Sequence, residues 1–135
     1  MKSEGTSLRK KAEFLIEKGV CTFKDVDKYI EELEGMLRKI PSEQELRRVA
    51  EFYKTLSDPF RIKLIYLLSF RSMNVCELTV AMNTTQPTVT HHLKILEHMH
   101  IINRKRVGRW TYYELKYKEV LDNINSILKF KPFVW

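Results

Sequence analysis

Residues 84–113, TTQPTVTHHLKILEHMHIINRKRVGRWTYY, constrain the fold of this chain more than any other stretch. Val89, His92, Leu93 and Leu96 recur at helical spacing and leave Gln86, Thr88, Thr90, His91 and Lys94 on the other faces. This predicts an amphipathic helix from Gln86 to about Met99, with Thr85 as its cap. Pro87 costs little in the first turn, where its missing N–H would have had no partner. Two runs with strand character follow at once, residues 102–106 and 110–115, joined by a turn containing Gly108. Tyr and Trp in the second run favour pleated structure. The hairpin carries Arg104, Lys105, Arg106 and Arg109 with no acidic residue between Ile101 and Tyr113. A narrow polar helix face beside a basic ribbon suits entry into a DNA major groove with a grip on the flanking phosphates.

Charge is distributed in keeping with that reading. Residues 1–40 hold 9 Lys/Arg against 8 Asp/Glu, and residues 41–135 hold 15 against 9, so +6 of the formal +7 lies in the part that holds the helix and hairpin. A polyanionic partner is implied. The two cysteines, Cys21 and Cys76, make neither a disulfide framework nor a CxxC pair, which suits a reducing interior. No apolar run reaches membrane-spanning length and no signal-peptide core is visible. A cytoplasmic protein without membrane contact is expected. No HExxH, GxSxG, phosphate-binding glycine loop or paired-carboxylate constellation is present, so neither an enzyme nor a cofactor is expected.

Elsewhere the spacing predicts helices over 7–18 and 23–39, separated by Gly19 and closed by Pro41. Ser42 with Glu45 reads as a capping box. Asp58-Pro59 marks another helix start, with Ile62, Leu64, Ile65 and Leu68 inward. Residues 75–82 read as a short helix and 117–130 as a last one with an apolar stripe. The tail, with Phe133 and Trp135, either packs on the domain or is disordered. The order predicts a mainly α chain with a small β-hairpin: a winged helix-turn-helix over 42–135 and an N-terminal helical extension over 1–41.

The stretches LSDPFRIKLIYLL, MNVCELTVAM, TTQPTVTHHLKILEHMHII and RVGRWTYYEL resemble the arsenic-repressor (ArsR/SmtB) family of transcription regulators, in the family's order and spacing. The resemblance implies a dimeric repressor that pairs through its first and last domain helices, here residues 43–56 and 117–130. A last helix with so apolar a stripe needs a partner surface in any case. Such a dimer would occupy double-stranded DNA at an imperfect inverted repeat, its half-sites about 34 Å apart. Base-edge candidates are Gln86, Thr88, Thr90 and His91; phosphate candidates are Lys94, Arg104, Lys105, Arg106 and Arg109. For Thr85, and as an alternative for Thr88, capping is the structural reading. His92 matches a position that the family also fills with an inward His.

One departure concerns sensing. Arsenite and cadmium sensors in the family resemble this chain but carry two cysteines flanking one residue before the acidic position of the short helix. Here the place reads Asn74-Val75-Cys76-Glu77, and the first thiol is missing. A soft ion wants several thiolates. Cys76 therefore reads first as a buried structural thiol, then as a redox thiol, then as a ligand joined by Cys21. The last helix has no His, and His91, His92, His98 and His100 lack zinc spacing, so no metal is expected. The effector stays unknown at this level. The competing functions are a winged-helix protein-interaction module and a thiol- or metal-responsive sensor using Cys76 and Cys21.

Overall fold

The computed structural model describes residues 2–130; the tail rings Phe133 and Trp135 lie outside the described residues. Among the described residues no helix is long and apolar enough to cross a membrane. The chain divides into two compact units, Met1–Leu46 and Arg47–Trp135.

In the first unit α1 (Lys2–Glu17) packs on α2 (Val26–Leu37). The Gly19 N–H donates to the Ile16 carbonyl at 2.9 Å and the Val20 N–H to that of Leu15 at 3.0 Å. Gly19 sits at φ +71, where a Cβ would be strained, so this paired helix end needs a glycine. α2 starts three residues later than its apolar spacing predicts. Asp25 is extended and its carboxylate accepts the Lys28 N–H at 3.2 Å. Phe23 therefore stays outside the helix, its ring 4.6 Å from that of Tyr29. Arg9 and Asp27 form an ion pair across the hairpin. Among the described residues of this unit only Ile30 is buried.

α3 (Glu43–Thr55) opens on the expected capping box: the Ser42 N–H donates to Glu45 Oε2 at 2.8 Å and the Glu45 N–H to Ser42 Oγ at 3.2 Å. α4 (Pro59–Phe70) follows, with Asp58 Oδ1 accepting the Phe60 N–H at 2.8 Å. Then come β1 (Met73–Asn74), α5 (Val75–Met82), α6 (Gln86–His98), β2 (Ile102–Val107), β3 (Trp110–Leu115) and α7 (Lys118–Lys129). The sheet order is β1-β3-β2, all antiparallel. β1 adds a strand to the expected hairpin by pairing Met73 with Tyr113 and Asn74 with Tyr112. Two residues are too short for alternation to show, and the open edge of β3 supplies the template.

Leu64 and Ile65 of α4, Leu78 of α5, and Val89, Leu93 and Leu96 of α6 are fully buried together. Each such side chain contributes about 1.5–3 kcal/mol by leaving water. The core thus holds α6 by one face and leaves the opposite face to solvent. α7 is anchored by Val120 and Ile124, while Ile127 and Leu128 stay exposed.

Candidate nucleic-acid interface

α5 and α6 are joined by a turn that leaves little freedom. Asn83, at φ 49, closes α5 in the left-handed region that a short amide side chain tolerates. At its start α5 has a reciprocal cap: Asn74 Oδ1 accepts the Glu77 N–H at 2.9 Å, and Glu77 Oε2 accepts the Asn74 N–H at 3.0 Å. Arg71 lies 2.9 Å from the other Glu77 oxygen. The Arg71 hydrogen bond first, then the Asn74 amide, hold the Glu77 carboxyl below its ordinary range. Asn74, which stands where the family resemblance puts a thiol, is therefore a helix cap.

Thr85 precedes α6 in extended conformation, but its side chain caps no amide. Its hydroxyl instead lies 2.8 Å from that of Thr88. That corrects the expected cap, and it couples Thr88 to Thr85. Gln86, Pro87, Thr90, His91 and Lys94 line one shallow depression of about 400 Å³. Gln86, His91 and Lys94 are exposed and Thr90 half-buried. Four of the expected DNA-facing residues thus share one surface, each presenting a polar end.

Two residues past α6, His100 takes φ 56. Its N–H donates to the Glu97 carbonyl at 2.9 Å and the Ile101 N–H to that of Leu96 at 3.0 Å. This is the end that glycine closes in α1, here with a histidine. His98, His100 and Asn103, which sequence reasoning left off the site, line a polar groove of about 660 Å³ together with Lys94, Glu97 and Arg104. They lacked a signal because the groove forms only once β2 folds back beside α6.

The wing turns at Gly108, φ +61, between Val107 and Trp110. Pleating puts Arg104 and Arg106 on one face and Lys105 on the other. Arg104 Nε lies 3.1 Å from Glu97 Oε1, so α6 supplies the acidic neighbour that the hairpin lacks. Arg106 Nε donates to the Gly108 carbonyl at 3.4 Å, and the Arg109 guanidinium lies 5.0 Å from the Trp110 ring centroid. Tyr113 is the buried ring of β3; Trp110 is exposed.

His92 turns inward, its ring stacked on Phe60 at 4.5 Å between centroids. Burial, the largest cause, lowers its pKa; Asp58 opposes this, and Arg61 and His91 add to it. A histidine that binds its proton more weakly folded than unfolded favours the fold above its ordinary value of 6.5 and loses that contribution as pH falls through 6.5 to the depressed value. The melting temperature is therefore expected to drop from about pH 7 to about pH 5, and His92→Gln to flatten that drop. An unchanged pH profile in the variant would count against it. Differential scanning calorimetry reads both.

Cys76 is exposed, not buried, which corrects the first reading of this thiol. It occupies the second position of α5, whose buried contact is made by Leu78. Cys21 lies half-buried in the first unit. Among the described residues no three His, Cys, Asp or Glu side chains gather as metal ligands would. Cys76→Ser is expected to change stability by less than about 0.5 kcal/mol and DNA affinity by less than about twofold in reducing, metal-free buffer, as surface substitutions do. A larger loss in an anisotropy titration would assign the thiol a packing or binding role.

Residues 58–104 match the family described as bacterial regulatory protein, arsR family. The chain is 31% identical over 105 residues to a transcriptional repressor SmtB homolog of Synechocystis, covering 73% of this chain and 80% of that protein. Among solved structures, the transcriptional repressor BigR from Xylella fastidiosa aligns at 26% identity and a TM-score of 0.58, over 68% of this chain and 94% of the other. A homodimeric winged helix-turn-helix DNA-binding domain from Mycobacterium bovis aligns at 21% identity and 0.59, over 66% and 85%, and shares the fold.

Proposed function

This chain belongs to the arsR family of bacterial regulatory proteins, and we propose that it works as a homodimeric, sequence-specific repressor that reads DNA through α6. The observation that carries the reading is the division of α6: Val89, Leu93 and Leu96 are wholly buried, while Gln86, Thr90, His91 and Lys94 line one open surface. Gln86 would read adenine, Thr90 and His91 adjacent base edges, and Thr88 would add a contact only by giving up its bond to Thr85. Lys94, Lys105, Arg106 and Arg109 would contact phosphate, and Arg104 would share itself between phosphate and Glu97.

The proposed dimer joins residues 43–56 to 117–130 and occupies an imperfect inverted repeat, with residues 1–41 as an extension of the domain. Two copies of α6 would enter major-groove segments about 34 Å apart. Occupancy of promoter DNA would exclude polymerase, and a ligand that favoured another dimer geometry would release it. The Mycobacterium bovis relative in fold is itself described as a homodimer.

The test is selection of a preferred duplex from random sequence, then titration over a range of salt. Replacing Arg106 and Arg109 by Ala removes up to four phosphate contacts from a dimer. The log–log salt slope should shrink by roughly 3 to 4. An unchanged slope and affinity would favour a protein-interaction module, which has no need of wing cations.

A further inference from the structure

We propose that Arg61 is a positioning residue: it ties the end of α3 and the cap of α4 to His92, and so sets how α6 presents Gln86, Thr90 and His91 to a duplex. This rests on the DNA-reading role given above.

Arg61 is a long cation on α4, yet its side chain is only 14% exposed. Its Nε donates to the Thr55 carbonyl at 2.6 Å, at the last residue of α3. A terminal nitrogen lies 3.5 Å from Asp58 Oδ2, the same carboxylate whose other oxygen caps α4. That nitrogen also lies 3.3 Å from His92 Nδ1 on α6. A single planar group thus meets three elements. Its fork geometry lets it do so without a change of rotamer, which the point charge of lysine cannot copy.

The chemistry fixes the direction of the His92 contact. A guanidinium only donates, so Nδ1 accepts and the ring carries its proton on Nε2. The ring cannot swing away cheaply, since it is stacked on Phe60. Asp58 Oδ2 stands 3.9 Å from Nδ1, close enough to balance the guanidinium charge. His92 shares the backbone of α6 with His91 and Leu93, so tethering its ring to α3 and α4 bears on how the whole helix is seated and where its exposed face points. Arg61 itself lines neither DNA-facing hollow, so it acts through His92.

The experiment uses the full chain. Arg61→Lys keeps charge and much of the packing but loses the fork; His92→Phe keeps the stack on Phe60 and loses Nδ1. Each is expected to lower affinity for the selected duplex about tenfold while affinity for scrambled DNA stays within about twofold. The double variant should lose no more than either single one, because both break one link. In the free wild type, ¹⁵N shifts of His92 should show a proton on Nε2, and Arg61→Lys should mix in the other tautomer.

A purely stabilising role would lower the melting temperature and spare the ratio of the two affinities; that result, or multiplying effects in the double variant, overturns the proposal. Should Arg61→Lys fail to fold, His92→Phe and the wild-type shifts decide it: unchanged discrimination or a proton on Nδ1 overturns it. A wild type that prefers no sequence overturns the DNA-reading role, and this inference with it. A wild type that discriminates beside an Arg61→Lys variant that discriminates equally overturns this inference alone.

Discussion

Changing Ile127 and Leu128 together to Glu is expected to leave a folded monomer that binds the selected duplex about 10²–10⁴ times more weakly than the wild type. Both side chains are exposed in the single chain, at 59% and 68%, so the core does not depend on them. With Tyr53, Leu56, Ile62, Tyr66 and Ile124 they line an apolar hollow of about 300 Å³. Val49 of α3 and Phe130 past α7 are exposed apolar side chains as well. A carboxylate placed there is solvated in the monomer and stripped of water in the dimer, a cost that association cannot recover without a cationic partner. Once the copies separate, the second α6 no longer benefits from the first having bound, and the multiplied affinity collapses to that of one half-site. Sedimentation velocity reads the assembly and anisotropy the affinity. A variant that stays dimeric would remove α7 from the proposed interface, and a monomer that binds as tightly would remove pairing from the proposed mode of DNA binding.

Thr90→Ala with His91→Ala tests the reading surface itself. Well-made base contacts discriminate by about 1–3 kcal/mol each, and a dimer makes every contact twice. Affinity for the selected duplex is expected to fall at least 10²-fold, at about 1.4 kcal/mol per factor of ten. Scrambled DNA should be bound within about twofold of wild type, since neither substitution touches Lys94 or the wing cations proposed to contact phosphate. His91 is exposed and Thr90 half-buried, so the fold has little stake in either. Competition titrations against both duplexes give the two numbers side by side. Equal losses would mean that the pair holds the helix against phosphate and reads nothing.

Much of this architecture was readable from residue order because local chemistry and burial agree. The 75–82 helix and the second wing strand agree with the structure in their bounds: the structure closes the start of the one with the Asn74–Glu77 cap, and β-forming Tyr and Trp mark the other. The buried face of α6 followed from spacing alone. What escaped depends on contacts between distant segments. β1 exists only because β3 offers an edge, Arg104 is engaged by a glutamate from another element, and Arg61 meets His92 across 31 positions of sequence. Thr85 misled in another way: a hydroxyl at a cap position has a second partner available in the hydroxyl three residues on. Cys76 misled because free thiols are usually buried, whereas the inward positions of this short helix were already taken.

The reciprocal Asn74–Glu77 cap bears on how this molecule could be retuned. A carboxamide that accepts an amide at 2.9 Å is committed, and a sulfur in its place would fill that role poorly. Engineering Asn74→Cys to gain a thiolate pair with Cys76 would therefore trade intrinsic rigidity for responsiveness: the empty protein would fray at the threshold of its reading head, and an ion would have to mend it. Such a protein would owe its order to what it binds, whereas the natural chain supplies that order from its own carboxamide and carboxylate.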